Sequence, residues 1–292
     1  MSNDATTPTI ETRTVGTGDD AIAYDIRGDL TTATPELPPL FLFGAPMDAA
    51  GFTALASFFT DRPVITYDPR GAGRNPLGTT DITVEQHVDD LHRVISALDI
   101  GPVDAFGNSG GGVTLLALAA AHPDDLRRIV AHEPATGAVL PDADVIGAVI
   151  DDMKRTYAEK GEGAAMAKFV QLVMLQGELP ADYLDQPAPD PAMFGMPAVD
   201  DGARTNPLLR NMPSVTSYRP DIDALRALGD RLTIGFGVES GATMAARAAH
   251  AVASTVGIPP VEFPSHHGGF TDQPGMPGDP AGVAARLREL IG

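Results

Sequence analysis

Residues 107–111 read Gly107-Asn108-Ser109-Gly110-Gly111, a G-x-S-x-G pentapeptide. A hydroxyl with glycines at this spacing suits a nucleophile on a turn so sharp that side chains two positions away would clash. The apolar run PVDAF (102–106) leads into it and VTLLALAAA (113–121) follows it. The run before reads as a buried strand and the run after as a helix. Such a serine points into the cleft at the carboxyl ends of parallel strands. The competing reading, a phosphate-cradling turn, needs a lysine followed by serine or threonine. The stretch GGGVTLL (110–116) has no lysine.

A serine hydroxyl needs a base to become a nucleophile. The chain has seven histidines, at 87, 92, 122, 132, 250, 266 and 267. His87 and His92 fall on one helix at a spacing that does not favour a shared metal. His122 ends a helix and His250 sits within one, where ordinary structural roles suffice. His266 and His267 stand in FPSHHGGFTDQP, directly after the last apolar run. A loop histidine behind the last strand fits the order serine, acid, histidine. His267 is the expected base, because the two glycines after it relieve crowding; His266 is the second choice.

The base in turn needs a carboxylate to fix its tautomer and stabilise its charged form. Glu133 closes the run RIVAHEPA, and Glu239 follows the next apolar run in TIGFGVES. Both would reach the cleft edge. Glu133 is the better placed, since it ends an apolar strand and precedes a proline. An oxyanion formed by attack needs two preorganised donors. Gly110 opens the helix, so its N–H is free and lies in the positive field of the helix end. Ala45 is the expected second donor, because Pro46 has no N–H and fixes the turn behind it.

These residues need a scaffold. Residues 10–27 read as two strands joined at Gly18-Asp19-Asp20. PLFLFG (39–44), PVITY (63–67), PVDAFG (102–107), RRIVAHEP (127–134), RLTIGFG (231–237) and PVEFP (260–264) read as further strands. Helical spacing marks 51–59, 83–100, 111–123, 242–255 and 280–291. The alternation of apolar strands and helices implies β-α-β units and a mostly parallel sheet. The rhythm breaks between 137 and 222. Two helices are expected there, over 144–157 and 162–176, followed by an irregular stretch over 180–220 that holds eight prolines. Six of the ten methionines lie in this insertion, and so adaptable a side chain suits both lid packing and contact with an apolar ligand.

Taken together, these segments resemble the α/β-hydrolase superfamily. FLFGAP (41–46) stands where that family has its oxyanion loop, with Phe43 in place of the usual histidine. TYDPRGAGRN (66–75) looks like the D-x-R-G-x-G-x-S turn, with Asn75 for the serine, while GNSGG matches the nucleophile elbow and HHGG the late histidine loop. The resemblance implies an eight-stranded, mostly parallel sheet flanked by helices. The core would be 1–136 and 223–292, and 137–222 would be a helical cap inserted after the sixth strand. Most members carry their acid as aspartate after the seventh strand, where this chain has Ser240. A subset carries glutamate after the sixth. Within it, zearalenone-lactonase-like hydrolases have a segment similar to HEPA (132–135), which favours Glu133 over Glu239.

The expected activity is therefore serine hydrolysis of an ester or lactone of a small, largely apolar substrate, with no cofactor and no metal. GNS-x-GG also resembles the elbow of hydrolases that cleave carbon–carbon bonds, and cofactor-free perhydrolysis could use the same residues. Outside enzymes, the alternative is a non-catalytic small-molecule-binding protein on this fold. The 292 residues carry a net charge of −19, which disfavours nucleic acid and anionic membrane surfaces as partners. There is no cysteine, which rules out disulfides and thiolate metal sites. The first fourteen residues lack a basic and then apolar leader pattern, so a cytoplasmic protein is expected. A homodimer is compatible with this reading.

Overall fold

The computed structural model describes residues 9–75, 80–197, 199–273 and 276–292, so the first eight residues of the leader reading lie outside it. Eight strands form one sheet: β1 (Ile10–Val15), β2 (Ile22–Arg27), β3 (Leu40–Ala45), β4 (Val64–Tyr67), β5 (Val103–Ser109), β6 (Leu126–His132), β7 (Leu232–Gly237) and β8 (Val261–Phe263). Their order is β1-β2-β4-β3-β5-β6-β7-β8. The pairs from β4 to β8 are parallel, and β1 and β2 complete one edge in antiparallel fashion. A two-residue hairpin, β9 (Asp272–Gln273) and β10 (Met276–Pro277), follows the last sheet strand.

The chain leaves β3 toward β4 on one side and returns to β5 on the other. The crevice between the carboxyl ends of β3 and β5 is thus a topological switch point, where open parallel sheets bind ligands. Side chains alternate between two faces, as the pleat requires. Phe41 and Phe43 of β3 enter one core with helices α2 (Val84–Leu98), α3 (Gly110–Ala121) and α7 (Met244–Val256). Leu40 and Leu42 enter the opposite core with α1 (Thr53–Ala56) and α8 (Pro280–Ile291). Helix α2 begins on a capping box, in which Thr83 and Gln86 satisfy each other's backbone N–H groups. Helix α3 is buried on nearly every side, which explains its uniformly apolar sequence.

Between β6 and β7 lie α4 (Ala143–Met174), α5 (Pro207–Ser217) and α6 (Ile222–Ala227). Gly161 breaks α4 with φ 82°, so its two halves correspond to the two expected helices. The irregular reading of 180–220 needs correction, because α5 occupies eleven of those residues. Pro207 stands at the first helical turn, where no N–H is missed, and Asn206 caps that turn through Leu209 N. Only Pro213 interrupts the interior, and Leu209, Met212 and Val215 still bury one face.

Candidate active site

The strand β5 delivers Ser109 to the switch point in a conformation that few residues adopt, φ 58° and ψ −120°. Its neighbours leave no room for side chains. A Cβ on Gly107 would stand 2.5 Å from Gly111 O, and one on Gly110 would stand 2.2 Å from Ala45 O. The glycine after the serine is therefore as sterically constrained as those two positions away. Ala45 ends β3 directly opposite Ser109 in the ladder register.

Glu133 follows β6, also with positive φ (43°), and its backbone N–H extends the ladder to Gly235 O at 2.9 Å. Its carboxylate is fully buried. Oε1 accepts from Gly237 N at 2.8 Å, and Oε2 meets His267 Nδ1 at 2.6 Å. Burial raises the carboxyl pKa, but the hydrogen bond and charge of His267 outweigh it and draw the group down to about 2. Glu133 is thus ionised throughout the physiological range.

His267 itself is 41% exposed and opens onto a cavity of about 610 Å³. Ser109, Gly110, Ala45 and Glu239 line the same cavity. Ser109 and His267 thus line one cavity, and Glu133 lies buried behind the imidazole, bonded to its Nδ1. The Ser109 hydroxyl has no hydrogen-bond partner among the described residues, while His267 Nδ1 is taken by Glu133. Glu239 is exposed and makes no contact with His267 Nδ1, which Glu133 occupies. His266 turns aside: its Nδ1 accepts from Gly268 N at 3.1 Å, and its Nε2 faces Pro277 O at 3.4 Å.

Two features were given no role from the sequence. His132 is buried and joins Asn108 Oδ1 through Nδ1 at 2.7 Å, tying the residue before the serine to the residue before Glu133. Burial depresses the His132 pKa to about 4, so the ring is neutral at pH 7. The second is the turn after β4. Asp68 there accepts from Ala49 N at 3.0 Å and Arg74 N at 2.7 Å, which pins the loop leaving β3 beneath the cavity. The motif D-x-R-G-x-G was the available signal for that clamp.

The cavity walls are mostly apolar. Phe169, Leu172, Met174 and Met212 come from the segment between β6 and β7, and Met47, Met244 and Phe270 from the sheet side. Among the described residues, one histidine cluster comes near metal-ligand spacing, His92, His122 and Asp125, and none of these lines the cavity. The two imidazoles stack at 3.9 Å and 14°, so one ion cannot lie in both ring planes. No helix among the described residues is long and apolar enough to cross a membrane.

Residues 40–206 match the model of the alpha/beta hydrolase fold family. An uncharacterized hydrolase of Bacillus subtilis, YraK, is 26% identical over 225 residues, covering 74% of this chain and 75% of its own. A thermophilic esterase from Thermogutta terrifontis superposes with a TM-score of 0.65 at 20% identity, over 96% of this chain and 98% of the esterase. The enol-lactonase of Burkholderia xenovorans does so with a TM-score of 0.59 at 20% identity, over 93% of this chain and 96% of its own.

Proposed function

The chain belongs to the α/β-hydrolase family, and on that premise we propose that it is a serine hydrolase opening an ester or lactone through an acyl-enzyme. The observation that carries this reading is the buried Glu133 carboxylate on His267 Nδ1, with the same imidazole facing a cavity that Ser109 also lines. With Nδ1–H donated to Glu133, Nε2 is the free nitrogen. It takes the Ser109 proton as Oγ attacks the carbonyl, then returns it to the leaving alcohol. Ionised Glu133 balances the imidazolium that forms between these steps.

The backbone N–H groups of Gly110 and Ala45 hold the oxyanion. In serine hydrolases one such donor contributes about 10²–10³ in turnover. Water then enters by the same route and releases the acid. Residues 137–222 act as the cap, and their Phe169, Leu172 and Met212 select a largely apolar acyl or lactone ring. An esterase and an enol-lactonase stand among the structural relatives, in keeping with this reaction class.

A fluorophosphonate probe tests the nucleophile. Wild-type protein should be labelled on Ser109, and Ser109→Ala should lose both labelling and turnover of aryl esters. An unlabelled wild-type protein would point instead to passive binding of small molecules.

A further inference from the structure

The cavity holds a polar group that the proposed chemistry does not use. Asn211 lies on α5 and is 1% exposed, yet it lines the cavity. Its Oδ1 meets His87 Nε2 of helix α2 at 3.2 Å. His87 is completely buried, and burial depresses it to about 4, against the opposing charge of Asp90, so the ring is neutral. A neutral imidazole bonding a carbonyl oxygen through Nε2 must carry its proton there. Its Nδ1, without a partner among the described residues, is then a bare acceptor rather than a stranded N–H.

This anchor fixes the amide. With Oδ1 committed to His87, the Asn211 NH₂ group is turned the other way, and it has no hydrogen-bond partner among the described residues. An amide donor in an apolar wall is costly unless the ligand satisfies it. Among the described residues no lysine or arginine lines the cavity, whereas Glu239 does, so an anionic group is not what the wall would take. The donor is neutral and suits a neutral acceptor.

We infer that Asn211 is a specificity-determining residue that donates to a second oxygen of the substrate, a keto, hydroxyl or ether group remote from the scissile bond. The inference rests on the serine-hydrolase reading and narrows it to oxygenated acyl chains or rings. His87 is the positioning residue that sets which face of the amide the substrate meets.

The test compares p-nitrophenyl hexanoate with p-nitrophenyl 5-oxohexanoate. Wild-type protein should favour the oxo ester by about 10-fold or more in kcat/KM, the cost of leaving a buried donor unpaired. Asn211→Leu should bring that ratio to about 1. Asn211→Asp keeps an oxygen for His87 but presents an acceptor to the cavity, so it should also abolish the preference and guards against a folding defect in the first variant. Equal rates for the two esters in wild-type protein, or an unchanged preference in both variants, would overturn the inference. Binding of both esters to Ser109→Ala gives the same comparison as a ratio of Kd values without turnover. Absent hydrolysis with a tenfold Kd preference would therefore sink the serine mechanism and leave the Asn211 assignment standing.

Discussion

Strand β5 has a buried carboxylate near each end, and the two are treated in opposite ways. At the amino end, Asp104 accepts from Arg127 Nε at 2.9 Å, Arg127 Nη2 at 2.6 Å and Arg128 N at 3.1 Å, and also pairs with the buried Arg62. At the carboxyl end, beside Ser109, Glu133 has one backbone donor and one imidazole. Guanidinium keeps its charge at any working pH and holds a carboxylate in a rigid fork. Asp104 is therefore a staple between the strand ends and α8, since Arg127 also reaches Ile291 O at 2.6 Å. The partner of Glu133 can lose and regain a proton and is open to a cavity. Both carboxylates are buried; on the proposed reading, what separates a structural ion pair from a working one is whether the cation can change.

The largest expected effect separates them directly. Glu133→Gln should lower turnover by about 10⁴-fold, the scale seen when the acid of a serine triad is disabled. A variant with near wild-type turnover would break the distinction. Asp104→Asn should do the reverse. It strands two arginines and should cost about 3–5 kcal/mol in urea unfolding, with turnover per folded molecule preserved.

Next in size is a pH effect on stability. The depressed Glu133 carboxyl contributes fully above the ordinary glutamate range near 4.3 and loses its contribution only as pH falls through about 2. His87 and His132, both about 4 in the folded chain, contribute fully above about 6.5 and lose it as pH falls from there. Unfolding free energy should therefore drop between pH 7 and 5 by about 2 kcal/mol per imidazole. A flat profile over that interval would mean the rings are not held neutral. The smallest effect belongs to Glu239→Gln, expected within about threefold of wild type, the range of surface substitutions. A larger loss there than in Glu133→Gln would reverse the assignment of the acid.

The sheet was legible because each buried strand is a short apolar run ended by glycine or proline, and the elbow because its steric demands leave only glycines. Helix α5 was not. Two of its prolines look like breakers until one sees that the first sits where a helix tolerates it. Glu133 and Glu239 looked alike in sequence because each follows an apolar strand. In space they differ, since Glu133 turns inward to accept from Gly237 N while Glu239, two residues past β7, is exposed. His266 and His267 are adjacent and point apart, a consequence of the loop backbone rather than of residue type. The Asn211–His87 pair spans 124 positions and two helices, and no local pattern announces it.

Only four non-glycine residues among those described have positive φ, and Ser109 and Glu133 are two of them. Glycine would take either backbone conformation more cheaply, by roughly 1 kcal/mol. At Ser109, whose hydroxyl has no partner among the described residues, a descendant released from chemistry would gain stability by drifting to glycine; at Glu133 the lost bonds to Gly237 N and His267 would outweigh that relief. The serine thus serves as a lineage marker. Sibling chains that keep it would be expected to turn over substrate, and siblings relaxed to glycine there would be expected only to hold it, a sorting that needs no knowledge of what the substrate is.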